Sequence, residues 1–168
     1  MTASTLAQTA GPRIIFSDLQ SGPNSGGLNN QGSIVTIYGF GFGTSRGTSS
    51  ITIGGAAAAG YLQWSDTKVS FQVGNSAITG NIVIKVAGMA SSGMPFTVRP
   101  GRIYFVSPTG SDANAGTSAA PWHSVVKAKN TAVAGDIIYL LNGVNETGLE
   151  GSKASLTFAK SGTSSLPI

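Results

Sequence analysis

Ser33-Ile34-Val35-Thr36-Ile37-Tyr38-Gly39-Phe40-Gly41-Phe42-Gly43 decides how the first half of this chain is read. Its opening alternates. Val35 and Ile37 fall on one side and Ile34, Thr36 and Tyr38 on the other, the period-two pattern of a strand that packs one face on a core. Three glycines at alternate positions then strip the side chains from one side of the segment, so the backbone can bend sharply while Phe40 and Phe42 project from the other. The stretch predicts a strand that leaves its sheet and anchors its own exit loop.

The same signal repeats in shorter pieces on both sides. Upstream, Arg13-Ile14-Ile15-Phe16 follows Gly11-Pro12 and runs into the turn-rich Ser21-Gly22-Pro23-Asn24-Ser25-Gly26-Gly27. Downstream, Ile51-Thr52-Ile53 stops at Gly54-Gly55, Tyr61-Leu62 opens another short strand, and Val69, Phe71 and Val73 share a face of the next. Ile82, Ile84 and Val86 oppose Val83 and Lys85, and Met94, Phe96 and Val98 close the series. About seven strands with turn signals every 8–12 residues or so predict a β-sandwich. Its two sheets give alternate apolar residues to one interior.

Composition narrows the function classes. The chain has 168 residues, 24 of them glycine, and 10% charged residues, which suits one ordinary domain or two small ones built from short strands and small-residue turns. Ten Lys and Arg against six Asp and Glu give a net charge of +4, but the basic residues are scattered from Arg13 to Lys160, with Lys127 and Lys129 the one close pair. A nucleic-acid binder concentrates its charge in a stripe, so no nucleic-acid partner is expected. The absence of cysteine rules out a disulfide framework and a thiolate metal site. No apolar run approaches the roughly 20 residues of a membrane span. Met1 to Ala10 lacks the basic start and apolar core of a signal peptide; it reads as a flexible lead, and a signal is expected to lie outside this chain.

Arg99-Pro100-Gly101-Arg102 marks a boundary, with 100–102 as the linker. A new apolar strand, Ile103-Tyr104-Phe105-Val106, begins at once, and so short a connection implies that the two parts touch or are held at a limited angle. Trp122, Val125, Val126, Ala132 and Val133 then predict a three-turn helix starting near Pro121, a residue favoured in a first helical turn. Gly135-Asp136 ends it. Ile137-Ile138-Tyr139-Leu140-Leu141 reads as a buried strand and Ser155 to Phe158 as one more.

Residues 11–99 resemble the IPT/TIG family of immunoglobulin-like domains. The resemblance rests on the Gly-Pro opening, the Ser-Gly-Pro and Gly-Gly turns, Val35-Thr36-Ile37 followed by Gly39, Phe42 and Gly43, then Ile51-Thr52-Ile53-Gly54-Gly55, Trp64-Ser65-Asp66-Thr67 with Val69, and Phe96-Thr97-Val98. That family occurs in cell-surface receptors, in DNA-binding transcription factors and as accessory modules of bacterial extracellular polysaccharide-processing enzymes, so the fold alone names no function. The basic DNA-reading loops have no counterpart here.

Residues 103–168 resemble the N-terminal cap and first turn of secreted right-handed parallel β-helix proteins, the architecture of many pectate lyases. The matching pieces are Tyr104-Phe105-Val106-Ser107-Pro108-Thr109-Gly110-Ser111-Asp112 with Asn114 and Gly116-Thr117, Ala120-Pro121-Trp122, Ala134-Gly135-Asp136-Ile137-Ile138-Tyr139-Leu140 with Gly143, and Ser161-Gly162-Thr163 with Pro167-Ile168. Lys129 and Asn145 depart from the pattern, which prefers an apolar and an aromatic residue there. The resemblance implies catalytic and substrate-binding residues on later turns, beyond Ile168. The fold expected is therefore all-β: an immunoglobulin-like β-sandwich followed by a truncated right-handed parallel β-helix start with one short helix. One such turn cannot bury its own apolar surface, so its open edge is an expected site for a second copy of the chain.

Candidate chemistry is sparse. Asp18, Asp66, Asp112, Asp136, Glu146 and Glu150 are the acidic residues, and a glycosidase needs two of them facing each other across a cleft. Asp66 and Asp136 sit where turn or cap roles are expected. His123 is the one histidine, too few for a nitrogen-ligated metal, and it is expected on the first helical turn. No Gly-x-Ser-x-Gly elbow accompanies it, and no catalytic residue is assigned. Asp112 and Asn114, in Ser111-Asp112-Ala113-Asn114-Ala115-Gly116-Thr117, offer oxygens at alternate positions and are the candidate Ca²⁺ ligands, although one carboxylate falls short of a full calcium loop and a plain side-chain-capped turn is the competing, favoured reading. Asn145-Glu146-Thr147 fits the glycosylation acceptor rule. Tyr61, Trp64 and Trp122 are the candidate carbohydrate-binding residues, because sugar rings stack on flat side chains; packing in the core competes for all three.

The expected function is that of a non-catalytic accessory or spacer module of an extracellular or cell-surface carbohydrate-active protein, with no cofactor and, as an isolated chain, no enzymatic activity. Three alternatives predict different things. A carbohydrate-binding module predicts an exposed aromatic row, and the N-terminal fragment of a polysaccharide lyase or glycoside hydrolase predicts a downstream catalytic domain. A self-associating surface protein predicts a concentration-dependent dimer.

Overall fold

Val35 and Ile37 are fully buried, as the alternation requires, and lie on β3 (Ile34–Phe40). The computed structural model describes residues 11–144 and 161–167. In chain order its elements are β1 (Arg13–Ser17), β2 (Ser21–Gly22), a short turn at Leu28–Asn30, β3, β4 (Ser50–Ile53), β5 (Ala56–Ala57), β6 (Gly60–Trp64), β7 (Lys68–Gln72), β8 (Gly80–Val86), β9 (Met89–Ala90) and β10 (Met94–Val98). After the linker come β11 (Ile103–Val106), α1 (Val125–Thr131) and β12 (Ile137–Leu140). Met1 to Ala10, the strand expected at Ser155 to Phe158, the Asn145-Glu146-Thr147 sequon, Glu146 and Glu150 lie outside the described residues.

One sheet has the order β1-β3-β7-β6, and the other β2-β10-β8-β4-β5 with β9 paired to β8. Val35, Ile37, Val69 and Phe71 from the first sheet meet Ile51, Ile53, Ile82, Ile84 and Phe96 from the second in one core. Each such buried side chain contributes about 1.5–3 kcal/mol. The chain changes sheets between β1 and β2. Asp18 makes the transition, its N–H donating to the Thr36 carbonyl at 3.0 Å and its Oδ1 accepting from the Thr36 N–H at 2.7 Å. β2 then pairs parallel to β10, Ser21 beside Thr97 and Gly22 beside Val98. Two-residue strands such as β2, β5 and β9 carry no side-chain period, so backbone bonding alone defines them.

The exit of β3 differs from the expected geometry. Gly39 remains in the ladder opposite Ile14, and Gly41, at φ +74°, turns the chain. Phe42 swings into the core with no exposure while Phe40 is 62% exposed, so the two phenylalanines do not project together. Gly39 allows the close passage of β1: a Cβ there would collide with the Arg13 carbonyl and sit 2.7 Å from the Phe42 ring.

In the second unit β11 and β12 form a two-stranded parallel sheet, Ile103 beside Ile137 and Val106 beside Leu140. On the other side of β11, Val106 bridges to Trp122. The arrangement among the described residues is β11-α1-β12, one parallel pair and one short helix, with no further turn of parallel strands among them. The helix is shorter and later than its apolar spacing predicts. Asp112 reaches back from the preceding loop to fix the backbone at His123 and Ser124, so Trp122 pairs with β11 and α1 starts after its cap, Ser124. Val125 and Ala128 face inward, whereas Val133 is exposed. β12 is half-buried and ends at an exposed Leu140, not the fully buried strand its apolar run implies.

The two units touch, one of the two outcomes that the short linker allows. The Arg99 guanidinium donates to the Gly135 carbonyl and, through Nε, to Ser21 Oγ at 3.1 Å. Tyr139 Oη accepts the Ile34 N–H at 2.8 Å. Asp136, 2% exposed, takes the Arg102 N–H on Oδ1 at 2.8 Å and the Val133 N–H on Oδ2 at 2.9 Å.

Candidate functional site

The sequence-derived aromatic candidates are tied into the fold by their polar edges. Tyr61 Oη accepts the Ile51 N–H at 2.8 Å, and Trp64 Nε1 donates to the Phe42 carbonyl at 2.9 Å. Their rings meet edge to face with centroids 5.5 Å apart, and the Arg46 guanidinium lies over Tyr61 at 4.6 Å. Both are half-buried against the sandwich core. Trp122 is a correction: it is 3% exposed, stacked on Tyr104 at 4.4 Å with Nε1 donating to the Asn114 carbonyl at 2.8 Å. A ring held on both its face and its edge offers a sugar nothing to stack on.

The candidate calcium loop is likewise turned inward. Asp112 Oδ1 accepts the His123 and Ser124 N–H groups, and Oδ2 accepts the Ser124 hydroxyl at 2.6 Å. The Ser124 hydroxyl bond is the main influence holding the Asp112 carboxyl below its usual range. The Asn114 side chain donates to the Pro121 carbonyl at 3.0 Å, so its amide nitrogen is committed within the loop. These contacts make the loop a side-chain-capped turn that sets the start of α1. Among the described residues no three His, Cys, Asp or Glu side chains come together as a metal cluster. His123 precedes the helix rather than joining its first turn.

All four carboxylates among the described residues accept backbone N–H groups. Asp18 takes that of Thr36, Asp66 that of Gly43, Asp112 those of His123 and Ser124, and Asp136 those of Arg102 and Val133. These bonds tie the four carboxylates into local structure: a sheet switch, a turn, a helix start and the contact between the units. In the inter-unit contact, burial is the largest influence on Arg99 and lowers its pKa, while the charge of Asp136 opposes that shift. A cleft of about 510 Å³ beside it is lined by Asp18, Gln20, Arg99, Asp136, Ile138 and Pro167.

A different aromatic group is exposed, on the outer face of the four-stranded sheet. Phe16, directly opposite Tyr38 in register, is 53% exposed and stacks on it at 4.5 Å with a 9° interplanar angle. Tyr38 is in turn opposite Lys68, whose Nζ lies 5.8 Å from the Tyr38 ring centroid. Phe40 stands opposite Arg13 in the next row. Sequence reasoning passed over this group because Phe16 joins the outer face only through an irregularity in the β1–β3 register between Ile14 and Phe16. The usable signal was Tyr38 and Phe40, both on the side of β3 opposite Val35 and Ile37. No helix among the described residues is long and apolar enough to cross a membrane.

Comparison with known proteins bears on the sandwich. No curated protein matches the chain. Among solved structures, it is similar to an auxiliary nutrient binding protein from Bacteroides thetaiotaomicron VPI-5482, with 16% identity over 54% of this chain and 21% of the other and a TM-score of 0.45. It is similar to an auxiliary nutrient binding protein from Bacteroides ovatus ATCC 8483, with 14% identity, 64% and 26% coverage and a TM-score of 0.45. A putative phosphatase from Bacteroides thetaiotaomicron VPI-5482 matches at 22% identity, 54% and 18% coverage and a TM-score of 0.43. The chain spans about a quarter or less of the length of these proteins. The family model that matches is the IPT/TIG domain, over residues 17–98. The matched span runs from the end of β1 to the end of β10, and on that match this sandwich is an IPT/TIG domain.

Proposed function

We propose that the chain is a non-catalytic accessory or spacer module of an extracellular carbohydrate-active protein. The observation that carries this reading is the use of Asp18, Asp66, Asp112 and Asp136 as backbone acceptors: the carboxylates hold turns, a sheet switch and a helix start. The joint between the units supports the spacer role. Arg99 bonds across it to Gly135, and Tyr139 bonds back to Ile34, so the second unit is held at a set angle to the sandwich. The parallel pairing of β11 and β12 fits the opening of a longer parallel array, with the catalytic chemistry in a downstream domain. The extracellular, carbohydrate-linked setting rests on the IPT/TIG match together with the resemblance of residues 103–168 to β-helix caps.

The test is incubation of the purified chain with a broad polysaccharide panel, assayed for new reducing ends and for unsaturated products. No turnover is expected on any member. Product formation that survives repurification would overturn the reading.

A further inference from the structure

The outer face of the β1-β3-β7-β6 sheet changes character along β3. Toward Ile34 it carries the polar pair Thr36 and Ser70, bonded at 3.0 Å, with Thr36 buried. Toward the other end it carries Phe16, Tyr38 and Phe40, and Phe16 and Phe40 are more than half exposed. Two rows cross the strands. Phe16, Tyr38 and Lys68 make one, and Arg13 and Phe40 make the other, two residues further along β3, or roughly 7 Å away. The second unit bonds to β3 at Ile34, the opposite end of the strand from Phe40, and its Ser164 and Ser165 border a cleft on one side of Phe16.

The charges on this face are of one sign. Arg13 and Lys68 have no carboxylate partner among the described residues, and the Tyr38 hydroxyl has no hydrogen bond there. The nearest turn carries Asp66, whose Oδ1 is already taken by the Gly43 N–H. Exposed aromatic edges and faces, with two cations and a hydroxyl that meet no carboxylate among the described residues, match a ligand that offers apolar C–H faces, hydroxyl groups and regularly spaced negative charge.

We propose that this face binds an acidic polysaccharide whose sugar residues carry carboxylates. Sugar rings lie against Phe40 and the outer side of the Phe16–Tyr38 stack, and their carboxylates meet Arg13 and Lys68. Cations beside aromatic rings keep their attraction for the rings while engaging an anion from solvent, and charge-assisted bonds from Arg and Lys supply the stronger polar contacts. The proposal rests on reading the chain as an accessory module of a carbohydrate-active protein, and it moves the glycan contact away from Trp122 in the second unit and from Tyr61 and Trp64 to the opposite face of their own sheet.

The experiment is affinity electrophoresis of the full chain in gels containing polygalacturonate or alginate, against neutral dextran and glucomannan, with calorimetry on each acidic glycan. Phe40→Ala combined with Lys68→Gln, Arg13→Gln alone, and Ile78→Ala as an exposed control outside the face are run beside it, and melting curves establish that each is folded. Retardation by the acidic glycans is expected, weakening as NaCl rises. At least a tenfold loss of affinity is expected in the double variant, a smaller loss in Arg13→Gln, and none in Ile78→Ala. If the double variant melts early, Lys68→Gln and Arg13→Gln decide the matter. Unchanged affinity in folded variants of this face overturns the site, and equal retardation by neutral glycans overturns the ligand class. Equal binding to double-stranded DNA or to phosphatidylserine vesicles overturns it in favour of general polyanion attraction. A dimer dissolved by Phe40→Ala, with no glycan retention, assigns the face to a second copy. Silence with every glycan overturns this proposal and leaves the accessory reading standing, whereas product release overturns the accessory reading whatever the variants do.

Discussion

The phenolic oxygen of Tyr139 accepts the backbone N–H of Ile34 at 2.8 Å, so a side chain of the second unit closes the edge of β3 where β1 has already turned away. Tyr139→Phe keeps the ring that packs against Phe105 at 5.5 Å but leaves the Ile34 N–H without its acceptor. The expected cost is about 1–3 kcal/mol, measured by denaturant unfolding. Burial is the largest cause of a raised Tyr139 pKa, with the charge of Asp18 acting in the same direction and the Ile34 bond against it. The folded state therefore favours the neutral phenol. Its contribution is present in full below pH about 10 and is lost as pH rises through the folded pKa, so the alkaline fall in stability should be smaller in Tyr139→Phe.

Arg99 ties the end of β10 to the turn before β12 through Ser21 and Gly135. Arg99→Met retains most of the apolar stem and removes the charged donors, and it should destabilise the joint by about 2–3 kcal/mol. Calorimetry should show an earlier transition for the second unit while the sandwich melts near its original temperature. Limited proteolysis should accelerate in the 100–102 linker.

Gly39→Ala places a methyl group against the Arg13 carbonyl and the Phe42 ring. Backbone must move to admit it, and a loss of at least about 1–3 kcal/mol is expected. At Gly60 a Cβ meets nothing within 4 Å, so Gly60→Ala should lie between neutral and about 1 kcal/mol stabilising. Paired urea melts of the two variants separate a required close approach from simple glycine abundance.

Asp112→Ala removes the acceptor for two backbone N–H groups and the Ser124 hydroxyl. A loss of about 1 kcal/mol is expected, comparable to a helix cap. The Asp112 pKa is lowered, chiefly by the Ser124 hydroxyl, so its contribution is present above the ordinary carboxylate pKa near about 3.9 and disappears as pH falls through the lower folded value. Acid melting curves should converge for the wild type and Asp112→Ala below that window. Added Ca²⁺ should leave the melting temperature unchanged, because Asp112 and Asn114 already serve the turn.

Side-chain period made the sandwich legible. Val35, Ile37, Val69, Phe71, Ile82 and Ile84 alternate, and all six are buried. Period fails where the backbone leaves regular geometry. Gly41 reverses the path and separates Phe42 from Phe40, and the β1 irregularity brings Phe16 to Tyr38. The start of α1 was illegible for another reason: Asp112 fixes it from twelve residues before Ser124, a distance at which local propensity carries no information. Aromatic identity did not reveal orientation either. Trp122 faces inward because Asn114 supplies a carbonyl for its indole nitrogen, and that pairing depends on how the loop folds back.

The parallel pairing of β2 with β10 gives the sandwich a mechanical character. A force that pulls the chain backward from β1 and forward from the linker draws β2 and β10 past each other lengthwise. The Thr97 N–H bond to Gln20 and the Arg99 N–H bond to Gly22 lie across that movement, so they share the load and must yield together rather than in succession. Antiparallel hairpins such as β8–β9, pulled from their open ends, would instead unzip bond by bond. Under such a pull β2 and β10 separate only when both bonds yield, so the sandwich resists in shear where a hairpin would peel.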